Sequence, residues 1–255
     1  MTALVTGASS GIGRDIARKL VKKGLRVIIT GRNRQALEEL RDELGHRSVR
    51  IIVADLSFEQ ECYRLYEECK KYDVDVLINN AGFGVYGRMT ETSLEREVEM
   101  IKVNITAMHI FLKLFLRDFT EKDRGYILNV ASVAGFMAGP YMAAYYAGKN
   151  YVVRLTQAVR EELRRENSRV YVGALCPGPV MTGFNGTAGV SYDLGGISSD
   201  YTAECAIKGM MKRKAFIIPS LPIKTIAYGS RLVPQELLVR AAAAVQSKKG
   251  DTKNE

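Results

Sequence analysis

The sequence predicts an α/β chain built on a parallel sheet. Three observations predict it. Short apolar runs alternate with stretches of helical periodicity; a glycine-rich turn joins the first run to the first helix; and hydroxyl and amide side chains stand where later runs end. With 255 residues, 47% of them hydrophobic, the chain is long enough to bury one α/β domain spanning 1–255.

Residues 3–6 read as a short buried strand, and residues 11–23 as a helix with Ile12, Ile16, Ala17, Leu20 and Val21 on one face. Between them Gly7, Gly11 and Gly13 are spaced G-x-x-x-G-x-G. Glycines here permit a sharp turn and leave no Cβ between the helix N-terminus and a pyrophosphate, which exposed N–H groups and the helix dipole would hold. The next strand, 25–30, ends in Gly31-Arg32-Asn33-Arg34. A site that reads NAD places a carboxylate there for the ribose 2′-hydroxyl. None is available, whereas Arg32 and Arg14 can pair with a 2′-phosphate, so NADP (as NADPH) is favoured over NAD. Asp55 follows the third strand, 49–53, and either caps a helix starting near Ser57 or accepts from the adenine amine.

Asn79-Asn80-Ala81-Gly82 ends a strand at 76–78, where amides can tie adjacent loops together. Asn104 lies inside a long apolar helix, 97–119, where an unpartnered amide is costly. It either holds a water in a proton path or satisfies a backbone carbonyl. Ser132 ends the strand 126–131, at the carboxyl edge where ligands bind in open α/β sheets, and can donate to a carbonyl oxygen. In the helix 142–166, Lys149 follows Tyr145 by four residues and shares its face. A free phenol has a pKa of about 10, and a neighbouring cation favours its phenolate. Of Tyr141, Tyr145 and Tyr146, only Tyr145 has a lysine four residues on, so the sequence selects its own acid.

T-G-x-x-x-G-x-G, N-N-A-G, Asn104, Ser132, Y-x-x-x-K and P-G-P-V-M-T (177–182) together resemble the short-chain dehydrogenase/reductase family in order and approximate spacing, over about the first 215 residues. The resemblance implies a Rossmann-like, doubly wound sheet of about seven strands with helices on both faces. It implies catalytic roles for Asn104, Ser132, Tyr145 and Lys149. Tyr145 would be the general acid/base, Lys149 would lower its pKa and grip the nicotinamide ribose, Ser132 would orient the carbonyl, and Asn104 would support a water relay. It implies cofactor contacts at Gly7, Ser9, Ser10, Gly11, Ile12, Gly13, Arg14, Arg32, Asp55, Asn80, Pro177, Val180 and Thr182, besides Tyr145 and Lys149. Of these, Ile12 would lie on the nicotinamide side, Asn80 near the adenosine ribose, and Val180 and Thr182 at the carboxamide.

Composition excludes other classes. Cys62, Cys69, Cys176 and Cys205 follow no metal spacing, and His46 and His109 are the only histidines, so no metal site is expected. Cys62 and Cys69 are expected in a core, His109 in a core or interface, and the thiols reduced in a cytoplasmic setting. A first strand beginning at residue 3 leaves no room for a cleaved signal peptide, and no apolar run reaches membrane-spanning length. The formal charge is +9; from Ile207 onward ten Lys/Arg face three Asp/Glu. That asymmetry reads as a solubilising basic face or as a weak contact with a membrane surface, without nucleic-acid binding.

Shorter relatives of this kind end soon after their seventh strand, whereas this chain continues. Its tail resembles the branch of longer 3-oxoacyl reductases and hydroxysteroid dehydrogenases. Residues 216–218 are the expected last strand, Pro219 and Pro222 are expected breaks, and Pro234 should open a final helix through Leu238. Residues 183–240 are expected to form a substrate loop, lid and extension that covers the cleft, touches a membrane or packs on the core. Helices 97–119 and 142–166 are candidates for a homodimer interface. Segments 83–86, 136–140 and 181–184 supply apolar side chains, which suit a hydrophobic carbonyl or alcohol substrate of the 3-oxoacyl or hydroxysteroid type. The expected activity is NADP(H)-dependent ketone–alcohol interconversion; the alternative is a dinucleotide-binding regulator without turnover.

Overall fold

The structure, a computed structural model, describes residues 1–188, 196–230 and 233–247. The apolar runs form β1 (Thr2–Thr6), β2 (Arg26–Gly31), β3 (Val49–Val53), β4 (Val74–Asn79), β5 (Tyr126–Val130) and β6 (Tyr171–Leu175), followed by the short β7 (Val180–Met181), β8 (Ile197–Ser198) and β9 (Phe216–Ile217). Seven of these pair in parallel in the order β3-β2-β1-β4-β5-β6-β9, while β7 and β8 pair separately. Continuous Val, Ile and Leu runs suit such strands because both faces are covered. All residues of β1 and β6 are buried.

The helices are α1 (Gly11–Lys22), α2 (Arg34–Leu44), α3 (Glu59–Lys70), α4 (Leu94–Ile101), α5 (Met108–Glu121), α6 (Ala143–Arg165), α7 (Phe184–Ala188), α8 (Ser199–Met211), α9 (Leu221–Gly229) and α10 (Gln235–Ser247). Ile16 and Leu20 of α1, Leu37 and Leu40 of α2, and Ile207 and Met210 of α8 pack with Val5, Ile29 and Ile78 on one side of the sheet. Leu65 of α3, Phe111 and Phe115 of α5, and Val152 and Val153 of α6 pack with Leu4, Ile28 and Ile127 on the other. This is the doubly wound, Rossmann-like arrangement. Cys62 and Cys69 lie in the second core as expected, and all four cysteines are free.

Strand order reverses between β1 and β4, so the loops after those strands diverge and leave a crevice at the carboxyl edge of the sheet. The residues after β1, β2, β4, β5 and β6 all face this crevice.

Several expectations need correction. The helix expected at 97–119 begins earlier, at Leu94, where the Ser93 side chain accepts from the Arg96 N–H. It then passes through a π-helical segment, Lys102–Ala107, before α5. Apolar periodicity tolerates such a local widening, so the sequence pattern hides it. Pro222 does not break the chain but sits in the first turn of α9, where its missing N–H is not needed. The last helix runs on to Ser247 instead of stopping at Leu238. Of the two places expected for His109, the core is ruled out: it is exposed, with a ring nitrogen 2.6 Å from the Tyr151 hydroxyl, because α5 turns that position away from its buried phenylalanines. The first part of the expected loop and lid region at 183–240 contains α7 and β8; residues 189–195 lie outside the described residues, as do 231–232 and 248–255.

Candidate active site

A cleft of about 500 Å³ lies at the carboxyl edge of the sheet. Gly7, Ser9 and Ser10 border it from the turn before α1, and Gly11 and Ile12 from the first turn of α1; Arg32 follows β2, Asp55 follows β3, Asn80 follows β4, Ser132 follows β5 and Pro177 follows β6. Tyr145 and Lys149 enter from α6, and Val180 and Thr182 complete the far side. Gly13, Arg14 and Asn104 do not line it.

The glycine turn is shaped by close contacts. Gly7 and Gly11 have φ of +65° and +54°, a region that side chains with Cβ rarely adopt. A Cβ on Gly13 would lie 2.4 Å from Asn80 Nδ2 and 2.5 Å from the Gly7 carbonyl. Asn80 is the clasp: its Nδ2 donates to the Thr6 carbonyl at 2.8 Å and to that of Gly7 at 3.2 Å, while the Thr6 hydroxyl accepts from the Asn80 and Ala81 N–H groups. The asparagine thus ties two loops together, as its position suggested. Gly13→Ala should destabilise the protein by about 1–3 kcal/mol through overpacking, read as a lower urea midpoint.

Helix α1 carries no side-chain cap at Ser10 and no acidic residue in its first turn. Its N-terminal N–H groups therefore retain their capacity for an anion at the edge of the cleft, and a dinucleotide pyrophosphate fits this donor set. Arg32, 53% exposed, is held by Glu99 at 2.6 Å. Arg14 is turned from the cleft toward α2, with Glu43 at 3.7 Å and Glu39 at 4.0 Å. Asp55 accepts from the N–H (3.0 Å) and hydroxyl (2.8 Å) of Ser57, stabilising the turn ahead of α3.

The catalytic candidates converge. Tyr145 and Lys149 are both buried, with the ammonium 5.7 Å from the phenol ring centre. Lys149 Nζ donates to the Val130 carbonyl at 2.8 Å. Ser132, on an extended backbone, accepts from the Ala134 N–H and lies 3.4 Å from the Pro177 carbonyl. Burial pushes the Tyr145 phenol above its ordinary value, and the nearby Ser132 hydroxyl pulls the other way. Burial also pushes the Lys149 ammonium down to about 8. Desolvation of the phenolate is thus the largest influence on the phenol within the protein itself.

Asn104 lies behind this wall. Its Oδ1 accepts from the Phe83 N–H at 3.0 Å and its Nδ2 donates to the Phe83 carbonyl at 2.8 Å. Of the two roles left open by the sequence, the backbone-satisfying one is realised. The α-carbon of Gly82 borders both groups: a Cβ there would meet Asn104 Oδ1 at 2.8 Å and Lys149 Nζ at 3.6 Å.

The short chain dehydrogenase family profile matches residues 1–191. The chain belongs to the short-chain dehydrogenase family. An uncharacterized oxidoreductase of Staphylococcus saprophyticus is 32% identical over 189 residues, 72% of this chain and 80% of that protein. A 7beta-hydroxysteroid dehydrogenase of Clostridium sardiniense is 33% identical over 183 residues, 70% of this chain and 69% of its own. A short-chain dehydrogenase from Sphingobium yanoikuyae, solved in complex with NADPH, superposes with a TM-score of 0.83 at 28% identity, covering 93% of this chain and 94% of that one. This dehydrogenase is accordingly an oxidoreductase with the expected fold.

Sequence reasoning missed part of the cleft. Val103, Met142, Tyr146 and Gln246 line it besides Phe83 and Phe184, whereas Phe136 is buried in the core. Tyr146 is visible beside Tyr145 but lacks a lysine partner. Gln246 lies a hundred residues from Tyr146, well beyond the last motif, and carries no local signal. Within the described residues the C-terminal extension packs on the domain: α9 sets Ile223 against Gly178, and α10 brings Gln246 to the cleft wall. No described helix is long and apolar enough to cross a membrane.

Proposed function

We propose that this dehydrogenase interconverts a ketone and a secondary alcohol on a hydrophobic substrate, using NADP(H). The observation that carries the reading is the convergence of Ser132, Tyr145 and Lys149 on one wall of a cleft that Phe83, Val103, Met142 and Phe184 make apolar. Substrates of the 3-oxoacyl or hydroxysteroid type suit that lining, and the likeness to a 7beta-hydroxysteroid dehydrogenase supports the same class.

A bound nicotinamide supplies the hydride chemistry. Ser132 and Tyr145 hold the substrate oxygen between two hydroxyl donors, which fixes the carbonyl against rotation. As negative charge develops on that oxygen, the Tyr145 phenol delivers its proton to it; in the reverse direction the phenolate takes the proton from the alcohol. Lys149, tethered to the Val130 carbonyl, places a cation beside the phenolate left behind. Asn104 keeps the Phe83 backbone in place behind them. Apolar walls exclude water and strengthen each of these interactions.

The NADP preference rests on Arg32 and on the absence of a carboxylate at the end of β2. The likeness to a dehydrogenase solved with NADPH accords with it. Arg32→Ala should raise KM for NADPH about tenfold or more, from loss of charge-assisted hydrogen bonds, while KM for NADH changes little. The test of the whole reading is NADPH oxidation in the presence of 3-oxoacyl thioesters, ketosteroids and, as a control, keto sugars. Turnover of the hydrophobic ketones is expected. NADPH binding without oxidation by any of them would instead indicate a dinucleotide-binding regulator.

A further inference from the structure

Within the cleft one polar pair stands apart from the catalytic groups. Gln246 of α10 is 4% exposed. Its Nε2 donates to the Tyr146 hydroxyl at 2.5 Å, and its backbone carbonyl accepts from the Tyr86 hydroxyl at 2.8 Å. Two tyrosines, one from α6 and one from the loop before α4, therefore fix the end of α10 over the cleft. Both Tyr146 and Gln246 line the cleft, between Met142, Phe184 and the catalytic Tyr145. The rings of Tyr145 and Tyr146 are 6.2 Å apart, centre to centre.

Two hydrogen-bonding capacities remain at this pair. Among the described residues the Gln246 Oε1 is buried without a partner. The Tyr146 hydroxyl, having accepted from Gln246, still has its own proton to donate. A buried amide oxygen left unsatisfied costs free energy. A small side-chain rotation would expose that oxygen to an occupant of the cleft.

We infer that Tyr146 and Gln246 form a second polar anchor that recognises an oxygen-bearing group, a hydroxyl above all, on the substrate a few bonds from the reacting carbonyl. A hydroxyl can accept from Tyr146 and donate to Gln246 Oε1, matching both free capacities. Tyr146 is then a specificity-determining residue, and Gln246 both orients its proton and supplies the acceptor. The inference rests on the ketone-reductase reading and narrows it: the preferred substrate is a hydrophobic ketone with a second oxygen function, not a plain aliphatic or alicyclic one.

The test compares cyclic hydrophobic ketones with and without a remote hydroxyl, assayed with NADPH in the wild type, Tyr146→Phe and Gln246→Leu, with NADPH binding by fluorescence as the check on folding. The wild type should favour the hydroxylated ketone by about tenfold or more in kcat/KM, since a site built to bond a hydroxyl discriminates against analogues lacking it. Each variant should bring that ratio near one while still binding NADPH. A wild type that turns over both ketones equally, or variants that keep the wild-type ratio, would overturn the anchor while leaving the reductase reading intact. Binding of NADPH with no oxidation by either ketone would overturn the reductase reading itself, and the anchor with it.

Discussion

Tyr145→Phe should lower NADPH-dependent ketone reduction by about 10²–10⁴-fold, the range that a positioned general acid contributes. The substitution removes one oxygen and leaves the ring, which packs against Phe184 with ring centres 5.4 Å apart, so the cleft should keep its shape. Single-turnover rates at saturating NADPH report the loss directly, and fluorescence should still detect bound NADPH. Residual reduction within a few-fold of the wild type would mean that the proton comes from elsewhere. Tyr146 is the obvious rival, being adjacent in sequence and on the same cleft wall. Its hydroxyl is bonded to Gln246, however, and four residues after it comes Asn150, whose amide donates to the Ala134, Met137 and Tyr146 carbonyls.

The two directions of the reaction should respond differently to pH. Burial holds the Tyr145 phenol above its ordinary value, so its neutral acid form prevails through the physiological range. Ketone reduction uses that form and should be nearly flat between pH 6 and 8. Alcohol oxidation uses the phenolate, whose fraction grows tenfold per pH unit below the pKa. The oxidation rate should therefore rise about 100-fold across those two units. Over most of this interval Lys149, pushed down to about 8, keeps its cation, so the rise reflects the phenol. Initial rates in both directions with one ketone–alcohol pair, in buffers of constant ionic strength, decide the matter. An oxidation rate that levels off below pH 7 would show that the phenol in the working complex ionises far more readily than burial alone allows.

The contrast between these groups explains what the sequence could and could not convey. The spacing of Tyr145 and Lys149 placed both on one face of α6, and both point into the cleft. Spacing carries no information about desolvation, which depends on every element packed around the pair. The sequence therefore suggested a lowered phenol, while burial raises it. Arg14 shows the same division. Its position after Gly13 is local, but the carboxylates of Glu39 and Glu43 beside it come from another helix. Asn80 was legible because the clasp it makes joins two strand ends whose positions the alternating pattern already fixes.

Periodicity, glycine spacing and the order of short motifs are properties of neighbouring residues, and they alone determined the parallel sheet, the glycine turn and the shared face of Tyr145 and Lys149, because backbone geometry maps local sequence onto one face or one edge. The π-helical turn that aims Asn104 at Phe83, the burial that governs Tyr145 and Lys149, and the arrival of Gln246 beside Tyr146 were decided only in the tertiary structure. Each depends on contacts between segments 20 to 100 residues apart, as with Asn104 and Phe83 (21) or Gln246 and Tyr146 (100). Packing of distant segments, unlike helical or strand period, leaves no repeating mark in the chain.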